Sequence, residues 1–259
     1  MTDITDLIDA LRAAVEECIG QEPEVAVAYS GGLDSSIINS LATEVASTSR
    51  YTCAVRESPD DRLVREMVNE QRIPPTVIVL SEPRLIAHVR EAAYALNTTN
   101  PVQIAYSIPI LAVLSSAKEW LILAGSAADE LFGGYAKYMK EEDPTIQMGI
   151  DLEKALEEIE KLTEMASSKG KTIRFPFASR QVIDLASDIP LKRKIDGDGR
   201  KIILRQAAKQ LGIEAHDRPK KAAQYSSGIM KEMERLARRD GLDIKSWVED
   251  KVSSDHRTS

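Results

Sequence analysis

The chain has 259 residues, with 34 Lys and Arg against 41 Asp and Glu, a net charge of −7 and 43% hydrophobic residues. That length buries a core as one large domain or two small ones, and 29% charged residues beside a normal apolar share exclude a disordered chain. No apolar run approaches the ~20 residues that a membrane span needs. Cys18, Cys53 and three scattered histidines offer no zinc, iron–sulfur or disulfide pattern.

The acidic start, MTDITDLIDA, lacks the basic character of a leader, so a cytoplasmic protein is expected. Ile4, Leu7, Ile8, Leu11, Val15 and Ile19 recur close to a 3.6 period and predict a helix over residues 3–19. Strand-length apolar runs follow at 25–29, 51–55, 76–80 and 120–124, separated by helix-length stretches near 34–47, 59–71 and 83–95. Continuous apolar strands divided by helices predict an α/β fold, a parallel sheet with helices on both faces. Residues 151–168, 178–188, 200–211 and 226–239 read as helices, and no strand is expected after Ala124. The expectation is one domain over 1–259, with an α/β half over about 20–140 and a helical half over about 141–259. Between residues 192 and 239 there are 14 Lys and Arg against 6 Asp and Glu. That excess suits either a solvated helical face or a wall turned toward polyphosphate or RNA.

The strongest local signal follows the first strand: Ser30-Gly31-Gly32-Leu33-Asp34-Ser35-Ser36, then a helix. Two glycines let backbone N–H groups approach a ligand closely, and the helix behind them directs its positive end at the same place. Ser30, Ser35 and Ser36 add hydroxyl donors. The GxxxxGK[ST] and GxGxxG patterns are both absent, which excludes a Walker loop and a dinucleotide fingerprint. A second constellation follows the run 120–124: Gly125-Ser126-Ala127-Ala128-Asp129-Glu130-Leu131-Phe132-Gly133-Gly134-Tyr135. In open α/β sheets ligands gather beyond the carboxyl ends of strands, where both segments lie.

SGGLDSS resembles the PP-loop of the N-type ATP pyrophosphatases. Followed about 90 residues later by DELFGGY, it resembles the synthetase domain of asparagine synthetases and the related β-lactam synthetases. Weaker pieces agree: Ser58-Pro59-Asp60, Ser107-Ile108-Pro109 opening a helix, Arg174-Phe175-Pro176-Phe177, and the basic motifs at Lys201, Leu204-Arg205 and Arg218-Pro219-Lys220. The match spans roughly residues 20–235. It implies a Rossmann-like fold of the adenine nucleotide alpha hydrolase type, with ATP and Mg²⁺ as cofactors. It further implies that Ser30, Gly31, Gly32, Asp34, Ser35, Ser36 and Gly125 surround the polyphosphate and that Val55 lies near the adenine. Asp34 and Asp129 would hold Mg²⁺, with Asp129 and Lys220 as catalytic groups. Lys221 is adjacent to Lys220, and the choice between them stays open.

The resemblance also has departures. Thr2 stands where the glutamine-hydrolysing relatives carry a nucleophilic Cys, so ammonia is expected to come free or from a separate glutaminase subunit. Ser126 replaces a glutamate assigned to proton transfer. Asn97, Asn100 and Ala105 stand where aspartate-using relatives have acids and an arginine. Thr172 and Ser179 replace the two acids, and Ala178 the leucine, of the family's E-x-R-x-P-F-L-D region. The expected activity is an AMP-forming ligase of amino-acid biosynthesis type, which adenylates a small-molecule carboxylate for attack by a nitrogen nucleophile, with aspartate expected to be a poor substrate. A PP-loop enzyme modifying tRNA, and a non-catalytic ATP-binding subunit, are the alternatives. Against the first stand the lone cysteines and the 5% aromatic content. Against the second stands the retention of Asp34, Asp129 and Lys220.

Overall fold

The computed structural model describes residues 4–55, 74–197, 199–217 and 228–253. The expected helix near 59–71 and the residues Lys220 and Lys221 lie outside them. The parallel, Rossmann-like α/β arrangement is present, with five strands, β1 (Glu24–Ala28), β2 (Ser47–Val55), β3 (Thr76–Leu80), β4 (Leu121–Leu123) and β5 (Thr172–Arg174), in the order β3-β2-β1-β4-β5. The chain divides into two compact units, one over 1–49 and 119–220, the other over 50–118 and 221–259.

In the first unit α1 (Ile4–Ile19) buries Leu7, Ile8, Leu11, Ala14, Val15 and Ile19, the stripe that its 3.6-residue period dictates. It leads into β1 (Glu24–Ala28) and α2 (Leu33–Ala42). β4 (Leu121–Leu123) pairs parallel with β1, matching Ala26 to Ile122 and Val27 to Leu123. Contrary to the expectation of no strand beyond Ala124, β5 (Thr172–Arg174) joins β4 in parallel. Three residues with only Ile173 buried carry no periodicity, so the sheet's last strand escapes a pattern search. Between β4 and β5 lie α5 (Ala128–Phe132) and α6 (Thr145–Ser168), the latter starting six residues before the expected 151. After β5 come α7 (Arg180–Asp188), α8 (Leu191–Lys194) and α9 (Ile202–Gln210), with a small hairpin of β6 (Ile195–Asp196) and β7 (Gly199–Arg200) also unforeseen. α1 packs on α2, α7 and α9, so the first and last helices of the unit share one core.

In the second unit β2 (Ser47–Val55) pairs parallel with β3 (Thr76–Leu80). α3 (Glu82–Leu96) and α4 (Pro101–Ser116) follow and pack together. Ser107-Ile108-Pro109 does not open a helix: α4 begins at Pro101 and carries Pro109 inside it. The start is set by Asn100, whose side-chain oxygen accepts the backbone N–H of Val102 at 2.9 Å as an N-cap. α10 (Ile229–Arg239) and α11 (Ile244–Ser253) complete the unit. Arg239 grips Glu82 through two N–H···O bonds of 2.8 and 2.9 Å. The fully buried Trp247 donates its indole N–H to Asp240.

Within the described part of the basic stretch 192–239, Lys194 and Lys201 are buried, and Arg235 and Arg239 pair with Glu232 and Glu82.

Candidate functional site

In the sheet order the chain runs from β1 outward to β3, then returns to place β4 on the other side of β1. That reversal opens a crevice beyond the carboxyl ends of two adjacent parallel strands, the usual ligand position in open α/β sheets. Both sequence motifs leave from those two ends, and both belong to the first unit.

After β1 the chain turns through Gly31, whose φ of 69° lies in the left-handed region, and Gly32 caps α2. The loop is laced by its own hydroxyls. The Ser30 backbone N–H donates to Ser35 Oγ at 3.2 Å, the two serine Oγ atoms are 3.2 Å apart, and Gly32 N–H donates to Ser30 Oγ at 3.3 Å. Ser35 Oγ in turn donates to the Gly32 carbonyl at 3.2 Å. Ser36 departs from this group, since its buried hydroxyl points to the Tyr29 hydroxyl at 3.5 Å.

After β4, Gly125 passes close to the first turn of α2. A Cβ there would stand 3.2 Å from Asp34 Cβ, so the close approach favours glycine. Ala127 takes a left-handed φ of 74° directly before α5, which carries Asp129 and Glu130 in its first turn. A non-glycine residue in that region costs about 1–2 kcal/mol and is held there by its surroundings. Gly133 closes the helix at φ 70°, and a Cβ on it would fall 2.3 Å from Ile195 Cγ1.

Asp34 and Asp129, one from each motif, meet on the same cation. Lys201 Nζ lies 2.6 and 2.7 Å from the two oxygens of Asp34 and 2.5 Å from Asp129 Oδ1. The Lys201 side chain is 3% exposed, against 24% for Asp34 and 12% for Asp129. Burial alone would lower its pKa, but the two carboxylates outweigh burial and hold the ammonium above its ordinary value. Lys201 is itself left-handed, with φ 54°, at the N-terminus of α9. Beside it, Arg200 donates to the Gly134 carbonyl at 2.9 Å and fixes the far end of the DELFGG segment.

Glu130 is 7% exposed and accepts the Tyr135 hydroxyl at 2.5 Å. Burial, helped by the neighbouring Asp129 charge, pushes its carboxyl up to about 7. Lys201, Glu130 and Tyr135 complete a cluster in which the sequence singled out only the two aspartates. Lys201 was visible only as part of a basic motif, because its partners are 167 and 72 positions away in the chain.

Two carboxylates converging on one point are hard oxygen donors, which suits Mg²⁺. They carry two negative charges against one from Lys201, leaving a surplus for a cation, so the donor set fits the ion. Among the described residues no third His, Cys, Asp or Glu joins them as a metal cluster. Of the other candidates, Val55 ends β2 in the second unit, where it is buried. Asn97 and Asn100, expected among substrate contacts, act as helix caps: Asn97 ends α3 at φ 49°, and Asn100 starts α4. Ser179 is likewise the N-cap of α7, accepting the Val182 N–H at 3.4 Å.

The family model described as asparagine synthase matches residues 6–158 and 150–257. A Methanocaldococcus jannaschii protein, whose name assigns it provisionally as a glutamine-hydrolysing asparagine synthetase, is 27% identical over 91% of this chain and 52% of its own. Asparagine synthetase B of Escherichia coli is 25% identical over 80% of this chain and 42% of its own. Carboxyethyl-arginine β-lactam synthase of Streptomyces clavuligerus is 28% identical over 89% and 47%. The chain thus spans about half the length of the curated relatives it matches. No described helix is long and apolar enough to cross a membrane.

Proposed function

Because the chain belongs to the asparagine synthase family, we propose that it is an ATP-dependent ligase that adenylates a carboxylate, releases pyrophosphate and passes the acyl group to a nitrogen nucleophile. The observation that carries this reading is the gathering of Asp34 and Asp129 on the buried Lys201 at the mouth of the SGGLDSS loop. The parts have separable tasks. The α2 N-terminus, the Gly31-Gly32 backbone and the hydroxyls of Ser30 and Ser35 offer donors to a departing pyrophosphate. Asp34 and Asp129 hold Mg²⁺, which when bound offsets charge on the phosphates. Lys201 holds both carboxylates in place between the two motifs. Gly125 keeps the wall beside Asp34 thin. Ser36, turned to Tyr29, supports the loop from behind.

Val55 near the adenine, and Lys220 or Lys221 as the cation that neutralises developing charge, are carried over from the family. The nitrogen donor is ammonia, either free or released from glutamine. Aspartate is a poor substrate on this reading, because Ala105, Ala178 and Ser179 supply none of the charges that would grip it. The two thiols take no part as thiolates, since burial pushes Cys53 up to about 12 and Cys18 up to about 11. That weighs against sulfur transfer to tRNA.

The test is product analysis with Mg-ATP, ammonia and a panel of carboxylic acids, read by chromatography and by exchange of labelled pyrophosphate into ATP. AMP and pyrophosphate that depend on an acid, and that disappear in Asp34→Asn and Asp129→Asn, are expected. ADP and phosphate as products would remove the reading, and rapid AMP formation with aspartate would remove its substrate clause.

A further inference from the structure

A cavity of about 400 Å³ opens within the first unit, against α5, α6 and α8. Its size is at the lower end of the range of small-molecule sites. Leu131, Met148, Leu152, Ile189 and Leu191 give it apolar walls. Three charged side chains line it: Asp188, which is exposed, and Glu130 and Lys194, which are buried. They differ in what they already touch. Glu130 receives the Tyr135 hydroxyl, whereas Lys194 makes no hydrogen bond or ion pair among the described residues.

Lys194 is the anomaly. It ends α8, it is only 9% exposed, and among the described residues no acid forms an ion pair with it. Burial pulls its pKa down to about 8. Long cationic side chains on a surface ordinarily extend their ammonium into water. Here Lys194 is buried and lines a cavity with apolar walls, where an unpaired charge is costly. A ligand that brought a negative charge to Lys194 Nζ and an apolar body to the walls would satisfy both at once.

We propose that this cavity is a binding site for a small carboxylic acid with an aliphatic body, its carboxylate seated on Lys194. A planar carboxylate offers oxygens to an ammonium donor at the strength of a charge-assisted hydrogen bond. The Glu130 carboxyl and the exposed Asp188 disfavour a second negative charge on the same ligand, so monocarboxylates are preferred over dicarboxylates. The site goes beyond the ligase reading and stands without it, since nothing in it requires a nucleotide.

The experiment is isothermal titration of the full chain, without nucleotide, with sodium hexanoate, hexanamide and hexylamine. Hexanoate is expected to bind, with hexanamide and hexylamine weaker by roughly tenfold or more. Lys194→Met keeps the length and apolar bulk of the side chain and should weaken hexanoate roughly tenfold or more. Gly149→Leu is an independent block. Gly149 lines the cavity from α6, and a Cβ there meets nothing within 4 Å, so a leucine is sterically tolerated and adds bulk beside the cavity. It should lose hexanoate binding with an unchanged or raised Tm. No hexanoate binding at millimolar concentration, equal binding of hexanamide, or undiminished binding in Lys194→Met would overturn the proposal.

Discussion

Replacing Lys201 with Met removes the cation on which Asp34 and Asp129 converge while keeping the volume of the side chain. Breaking a buried ion pair by deleting one partner costs about 3–5 kcal/mol, because the other charge is left uncompensated. The two acids here are unequal. Asp34 is 24% exposed and regains part of its hydration, while Asp129 is 12% exposed and regains less. A loss of about 3 kcal/mol at pH 7 follows, toward the low end of that range. The pH dependence has a fixed sign. The Lys201 pKa is raised in the folded chain, so its contribution is fully present below the unfolded value of 10.5 and is lost as pH rises beyond it. Urea unfolding followed by circular dichroism should therefore show a gap between wild type and variant that is constant from pH 7 to 10 and narrows at pH 11. Adding Asp129→Asn to Lys201→Met should restore at least about 1 kcal/mol, since the orphaned charge is gone. A gap below 1 kcal/mol at pH 7, or one that widens with rising pH, would refute the claim that Lys201 binds both carboxylates.

Three further expectations rest on other parts of the chain. Lys194→Met should raise stability at pH 7, because holding a buried lysine at about 8 instead of 10.5 costs up to about 3 kcal/mol. A lowered folded pKa means that the cost is present below about 8 and is relieved as pH climbs to 10.5, so thermal melts at pH 7 and pH 10.5 should show the variant's advantage shrinking. Gly133→Ala should destabilise by roughly 2–4 kcal/mol, since it combines a left-handed φ of 70° with a Cβ placed 2.3 Å from Ile195, and a loss under 1 kcal/mol in urea unfolding would contradict that packing. Asn100→Ala should cost about 1 kcal/mol through the lost cap of α4, and it should leave ATP turnover unchanged. A fall in turnover there would return Asn100 to the substrate contacts.

The parts of the site that were legible in the sequence are those whose chemistry is local. A glycine pair between a buried strand and a helix can be recognised from seven consecutive residues, as at Ser30 to Ser36, and so can the acidic turn at Asp129. The meeting of the two motifs was also accessible, because the carboxyl ends of parallel strands converge in any open sheet. Lys201 was not accessible, since its function depends on a partner 167 positions away and on a left-handed backbone that no pattern announces. β5 was missed because a strand of three residues is too short to show a period, and it is defined by its bonds to β4. Asn97 and Asn100 have structural tasks that no pattern announces: Asn97 ends α3 in a left-handed conformation, and Asn100 caps α4 by accepting the Val102 N–H.

The mutual bonding of Ser30, Ser35 and Gly32 has a consequence for what the loop can discriminate. A guest that takes the donors of Ser30, Gly32 or Ser35 competes with hydrogen bonds that already exist, at 3.2 to 3.3 Å. Counting contacts therefore says little about how tightly a guest is retained, because a neutral guest merely swaps equivalent partners and gains almost nothing. An anionic guest is different, since its bonds to the same hydroxyls and to the α2 N-terminus are stronger than those it breaks. On the ligase reading, the loop therefore favours guests that bring negative charge over neutral polar ones.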